Sequence, residues 1–384
     1  MVHSEIYNTD RAPTKTSFLR VLIMTPTSTD RTNNATFITG HPRSGTNFMM
    51  RLLDGADGLA TPPGVGKLHI LRRGLNLHWY ADSNWSNFYG AKAVEVARNS
   101  LPYQDFFQKV DKNTKRNPLY CSRESVVPVI EAVFDYHQSQ TGRQSYRWLE
   151  KNHNLEFFIN RALRSFTNPK FITVRRDPRS VWASWKKYCQ KTGLSLGPEQ
   201  LKKNLAYLLK QEISEHFSGF QRFNSLKTLL DFYCVPREMH LQALDISITP
   251  TGEAYKHDAQ KLESLIDISN LKGANSYVGS FCWHYNYLCY RADWAQDAYP
   301  ETVFKVNYED LVRETEKSVK DVCRFLRIRP PENTELPTEF DLPWHSNSSF
   351  TPGHSGVQSS SCDRWSIELS SNEADVIEEI SGAF

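Results

Sequence analysis

No stretch of this sequence stays apolar for the roughly 20 residues that a membrane-spanning helix needs. The most apolar run near the start, FLRVLIM at residues 18–24, is interrupted by Arg20 and stops far short of that length. It also makes a poor secretory signal, because no basic region precedes it and no small-residue cleavage site follows. An excess of one charge is missing too, since 46 Lys and Arg stand against 43 Asp and Glu, a net charge of +3. That balance argues against a nucleic-acid binder and makes any anion site a local one. The seven cysteines are scattered and contain no C-x-x-C spacing, so neither a zinc site nor a redox pair is indicated. Reduced thiols in a cytoplasmic protein are the simplest reading, with the Golgi lumen as the alternative for a chain cut from a membrane anchor. The sequons at Asn84 and Asn347 are too short a pattern to establish secretion.

What is present suits a large soluble core. The 384 residues are 39% hydrophobic and include 21 Phe, 17 Tyr and 9 Trp. Residues 1–34 are polar and read as an arm, and 35–384 as a single domain. Within it ATFIT (35–39) is a short β-branched run, followed by a loop and by TNFMMRLL, where Phe48, Met49, Leu52 and Leu53 fall on one helical face. The same grammar recurs. Leu155, Phe158, Ile159, Ala162, Leu163 and Phe166 have helical spacing before the strand KFITV (170–174), and Pro178 then suits the first turn of a helix. TVFKVNYEDL gives a strand to about Val306, with Val319, Val322, Cys323 and Leu326 on the helix after it. Helices alternating with short buried strands predict an α/β three-layer sandwich around a mainly parallel sheet, with ligands at the carboxyl ends of the strands. Residues 190–275 break this alternation and read as a helical insertion or cap, the part expected to meet the variable portion of a substrate.

The loop between the first strand and helix reads GHPRSGTN (40–47). A strand that passes through G-x-x-x-x-G into a helix turns backbone N–H groups and a helix N-terminus toward an anion. The triphosphate version of this loop follows its second glycine with a lysine for the terminal phosphates and a hydroxyl for magnesium. Here Gly45 is followed directly by Thr46, and the cation sits inside the loop as Arg43, beside Ser44. Phosphate binding without a metal is the expectation. Triphosphate hydrolysis, or a nucleotide kinase on the same architecture, is the competing one.

PRSGTNFMMRLL resembles the 5'-phosphosulfate loop of sulfotransferases that use 3'-phosphoadenosine 5'-phosphosulfate (PAPS). VRRDPRSVWAS resembles that family's 3'-phosphate motif, with Arg176 and, eight residues on, Ser184. An arginine at a strand end and a serine on the next helix are sensible partners for one phosphate. WLEKNHN (148–154) is similar to a W-x-E-K-T-P segment, with Asn152 and His153 in place of Thr-Pro. KVNYEDL (305–311) resembles V-x-Y-E-D-L and is read as a junction capped by Asp310. HSNSSF (345–350) and SCDRWSIELS (361–370) are similar to C-terminal family segments in which Arg364 would reach the nucleotide. The resemblance implies a PAPS-binding set of Arg43, Ser44, Gly45, Thr46, Asn47, Phe48, Arg176, Ser184 and Arg364, with Phe48 where other members place a tryptophan against adenine.

The implied reaction moves a sulfuryl group from PAPS to a hydroxyl, or as second choice an amine, of a small molecule or glycan. It asks for cations on the leaving oxygen, here Arg43 and then Lys151, and for a base. Family members carry a glutamate soon after the first helix, but PPGVGKLHIL (62–71) has Lys67 near that place and retains His69. His69 is therefore the first candidate, Glu150 the second, and His41, His78 and His153 the remainder. A protein that binds PAPS without turnover is the nonenzymatic alternative.

Overall fold

A computed structural model describes residues 31–63, 123–193, 197–216, 260–344 and 356–382, with a few positions between 235 and 242. Lys67, His69, His78 and the 345–350 segment lie outside the described residues, as do both sequons.

Five strands form one parallel sheet: β1 (Ala35–Gly40), β2 (Gly58–Ala60), β3 (Ser145–Lys151), β4 (Lys170–Arg175) and β5 (Val303–Asn307). Their order is β2-β3-β1-β4-β5, with β1 at the centre. All six residues of β1 are buried, which explains its continuous apolar character, because a parallel strand has side chains covered on both faces. The alternation of side chains assigns each face to its own helices. Ala35, Phe37, Trp148, Phe171 and Val303 face one layer. That layer contains α2 (Arg123–Thr141), a 3-10 turn (Leu155–Phe158), α3 (Ile159–Ser165), α5 (Pro198–His216) and α6 (Tyr277–Ala298). Ile38, Leu149, Ile172, Val174 and Val306 face the other, made by α1 (Thr46–Leu53), α7 (Tyr308–Arg313) and α8 (Thr315–Leu326). The result is the three-layer α/β sandwich with a mainly parallel sheet.

A third apolar cluster joins Val181 and Trp182 of α4 (Pro178–Thr192) to Phe281, Cys282 and Tyr285 of α6 and to Ile377 of α10 (Ser371–Ser381). Of the 190–275 segment, α5 sends Leu201, Leu205, Leu208 and Leu209 into the larger core. Residues 31–34 lie against β3, where Trp148 Nε1 donates to the Thr32 carbonyl at 3.0 Å.

Several local expectations are corrected. β3 takes up charged residues that no apolar pattern announced, and it carries Glu150 and Lys151 fully into the interior. The helix expected over 155–166 is a 3-10 turn followed by α3, with Leu163 39% exposed, because the turn shifts the phase of the apolar face. Asp310 does not cap α7. The cap position is Asn307, and Asp310 accepts from the Asn307 amide at 3.2 Å.

Candidate functional site

β1 ends at Gly40, where φ is +142° and a Cβ would lie 2.3 Å from the Val174 carbonyl oxygen of the neighbouring strand. Only glycine lets the chain leave the sheet there. Ser44 closes the loop on itself, its N–H and its hydroxyl both reaching the His41 carbonyl at 3.1 and 2.7 Å. Between them Arg43 adopts a left-handed φ of +76°, a conformation that an L residue holds only when its surroundings impose it. Gly45 starts α1 in the left-handed region and leaves room for the ring of Tyr308. Thr46 is buried at the first helical turn, and Asn47 keeps a buried Oδ1 with no hydrogen-bond partner among the described residues.

Arg43, Arg176 and Ser184, predicted from separate motifs, come together. Arg43 Nε donates to Ser184 Oγ at 2.9 Å, and Arg176 Nη1 donates to the Arg43 carbonyl at 3.2 Å. Pro178 at the start of α4 and the Asp177 cap, whose carboxylate accepts from Arg179 N at 2.7 Å, launch the helix that presents Ser184. Burial, and after it the like charge of Arg176, lowers the Arg43 guanidinium below its ordinary value. Arg176 Nη2 donates to the Ser361 carbonyl at 2.5 Å, its guanidinium lies 4.2 Å above the Tyr308 ring, and its buried Nε–H has no hydrogen-bond partner among the described residues. Two guanidiniums held together where hydroxyls converge form a receptor for an anion. The orphaned Arg176 donor fits a phosphate oxygen.

The C-terminal segment closes this side. Tyr308 Oη and Ser361 Oγ are 3.0 Å apart, and Ser180 Oγ donates to the Cys362 carbonyl at 2.7 Å. Arg364 is half-buried at the cap of the short helix α9 (Trp365–Glu368), three residues beyond Ser361. Phe48 packs edge-on to Tyr308 at 6.2 Å. Tyr308, part of the V-x-Y-E-D-L junction, places its ring where a Cβ on Gly45 would stand.

On the other flank, β3 pairs Glu150 with Phe37 and Lys151 with Ile38, so both end beside the root of the loop. Lys151 is 2% exposed. It is therefore an interior lysine, carried inward by β3. His153 follows on the turn beyond the strand, half-buried, its N–H donating to Asn152 Oδ1 at 2.9 Å. His41, by contrast, is surrounded by Trp185, Phe281, His284 and Tyr285, and its Nδ1 is 2.6 Å from the Pro42 carbonyl. Burial, and then His284, pushes it down to about 3, so it stays neutral and enclosed.

The chain is similar to two solved structures, each 14% identical. One is a sulfotransferase domain from the curacin biosynthetic pathway, with 90% of this chain and 96% of that one covered at a TM-score of 0.43. The other is a sulfotransferase domain from the Synechococcus PCC 7002 olefin synthase, with 91% and 95% covered at 0.41. No curated protein matches it. The family model described as the sulfotransferase family matches residues 35–230, just over half of the chain. The chain belongs to the sulfotransferase family.

Proposed function

We propose that this protein transfers the sulfuryl group of PAPS to a hydroxyl of a small molecule or glycan. The observation that carries the reading is the Arg43–Arg176–Ser184 constellation, with the buried Arg176 Nε–H left for an incoming oxygen. In the reaction the donor supplies an activated sulfur: the acceptor oxygen bonds to it as the bond to the phosphate oxygen breaks, leaving PAP and a sulfate ester. Arg176, Ser184 and Arg364 hold the 3'-phosphate end, and Phe48 lies along the base. The backbone of Ser44, Gly45, Thr46 and Asn47 presents the loop and helix start to the 5'-phosphate. Arg43 and Lys151 neutralise the charge growing on the leaving oxygen. Such charge stabilisation at fixed positions requires no metal in this reading.

The acceptor's proton goes to a base near the end of β3. Among the described histidines weighed for the role, His153 lies on a turn at the strand end, whereas His41 is enclosed by rings. Glu150 is fully buried within the strand. His153 is the choice from this geometry, with His69 the candidate from outside the described residues.

The test is calorimetric titration with PAP and with Mg-ATP, followed by PAP release from PAPS over a panel of phenols, alcohols and sugars. Arg43→Ala is expected to lower the transfer rate about 100-fold or more. Arg176→Ala is expected to weaken PAP about 10- to 100-fold, as loss of charged hydrogen bonds does. Binding of Mg-ATP without PAP would overturn the reading in favour of a kinase or triphosphatase. Tight PAP binding with no turnover on any acceptor would leave a binding protein.

A further inference from the structure

Thr39 is the last side chain before the loop, and its hydroxyl is engaged twice. It accepts from the Leu155 N–H at 2.9 Å and donates to Glu156 Oε2 at 2.8 Å. One residue earlier the Ile38 carbonyl accepts from the Asn152 N–H at 3.0 Å. Residues 38 and 39 thus grip both ends of the turn 152–156, which carries His153 and continues directly from Glu150 and Lys151. Within the turn the His153 N–H donates to Asn152 Oδ1 at 2.9 Å, Asn154 is left-handed at φ +60°, and the 3-10 turn begins at Leu155.

Glu156 is an improbable residue to bury for packing alone. It is 2% exposed, and an apolar side chain would fill the space without desolvating a carboxyl. Thr39 faces it from β1, Thr173 from β4 and Arg291 from α6. It also lines a small cavity under the loop with Ser44, Arg175, Tyr285, Cys289 and Lys305. The hydrogen bond to Thr39 gives this carboxyl a geometric task.

In-line transfer needs the donor loop and the proton acceptor in one register, and a misplacement of about 1 Å costs on the order of 100-fold in rate. We propose that Thr39 and Glu156 are positioning residues that hold the turn bearing His153 against the donor loop, so that nucleotide binding at the loop is felt at the turn. The proposal rests on the sulfuryl-transfer reading and adds to it the part that aligns the two halves of the site.

The experiment uses the full chain and four variants: Thr39→Val and Glu156→Leu, which remove the contact, and Thr39→Ser and Glu156→Gln, which keep a hydroxyl and an acceptor. PAP affinity, kcat and KM for PAPS are measured together with amide hydrogen exchange of residues 152–156, with and without PAP. The first two variants should lose about 10- to 100-fold in kcat while PAP affinity stays within about threefold, and the second two should behave as the wild type. PAP should slow exchange at 152–156 in the wild type and the conservative pair but not in Thr39→Val. PAP-induced protection persisting in Thr39→Val overturns the proposal whether or not an acceptor is found. So does a parallel loss of kcat, PAP affinity and melting temperature in all four variants, which marks a purely structural role. A wild type that binds no PAP instead removes the donor reading itself, a result visible before any variant is made.

Discussion

A Cβ on Gly45 would stand 2.3 Å from Cδ2 of Tyr308, and the backbone there has a φ of +99°. Both facts exclude a side chain, the first by overlap and the second by the strain of the left-handed region. Gly45→Ala should therefore destabilise the fold by about 2 to 4 kcal/mol in urea unfolding. The overlap share is separable, because adding Tyr308→Ala should return part of the loss while the backbone share remains. Strict additivity of the two substitutions would show that the ring is not what excludes the side chain. At this scale the loop was legible in the sequence: glycines at 40 and 45 and the arginine between them sit where the pattern put them. Tyr308 was not, because its role depends on which ring the fold brings over Gly45.

Among the elements, α10 is tied to the helix that presents Ser184. Ser370 and Glu373 form a reciprocal capping box, and Glu373 also accepts from Lys186 Nζ at 2.8 and 2.9 Å and from Trp182 Nε1 at 3.1 Å. Partial burial alone would raise the Glu373 carboxyl, but the Lys186, Ser370 and Trp182 donors outweigh it and hold it down to about 2. Ser370→Ala should lower stability by about 1 kcal/mol, as removal of a helix cap does, with PAP affinity unchanged because no loop contact is lost. Loss of nucleotide affinity in that variant would mean that α10 takes part in holding the donor. Strand recognition shows where element reading stops. β1, β4 and β5 declared themselves as β-branched apolar runs. β3, SYRWLEK, did not, since Arg147, Glu150 and Lys151 are residue types expected at a surface and only the fold buries them. Arg147 Nη1, for instance, donates to the carbonyls of Ala35 and Asn168 at 2.9 and 3.2 Å.

Across the whole molecule, buried ionisable groups set the response to acid. Burial pushes His41 down to about 3 and His137 and His284 each down to about 4, and it pushes Glu156 up to about 7. Between about pH 6 and 5 the unfolded chain protonates these three histidines while the folded chain does not, whereas Glu156 is protonated only when folded. Three protons taken up on unfolding against one released leave a net uptake of two. Stability should thus fall with falling pH by about 2.7 kcal/mol per unit. Glu156→Gln removes the opposing proton, so its slope over the same window should be about 1.5 times as steep. Urea midpoints at pH 6.0, 5.5 and 5.0 measure both slopes, and equal slopes would mean that Glu156 does not titrate as its burial requires. The sequence by itself determined the α/β alternation, the loop that begins a helix and the two arginine-bearing motifs, because local periodicity and glycine placement are written residue by residue. Only the tertiary structure decided that Arg43, Arg176 and Ser184 meet, that Lys151 is interior, and that the Thr39 hydroxyl is hydrogen-bonded to Leu155 N–H and Glu156. Those facts depend on the parallel pairing of β3, β1 and β4, which brings together strand ends separated by more than a hundred residues of chain.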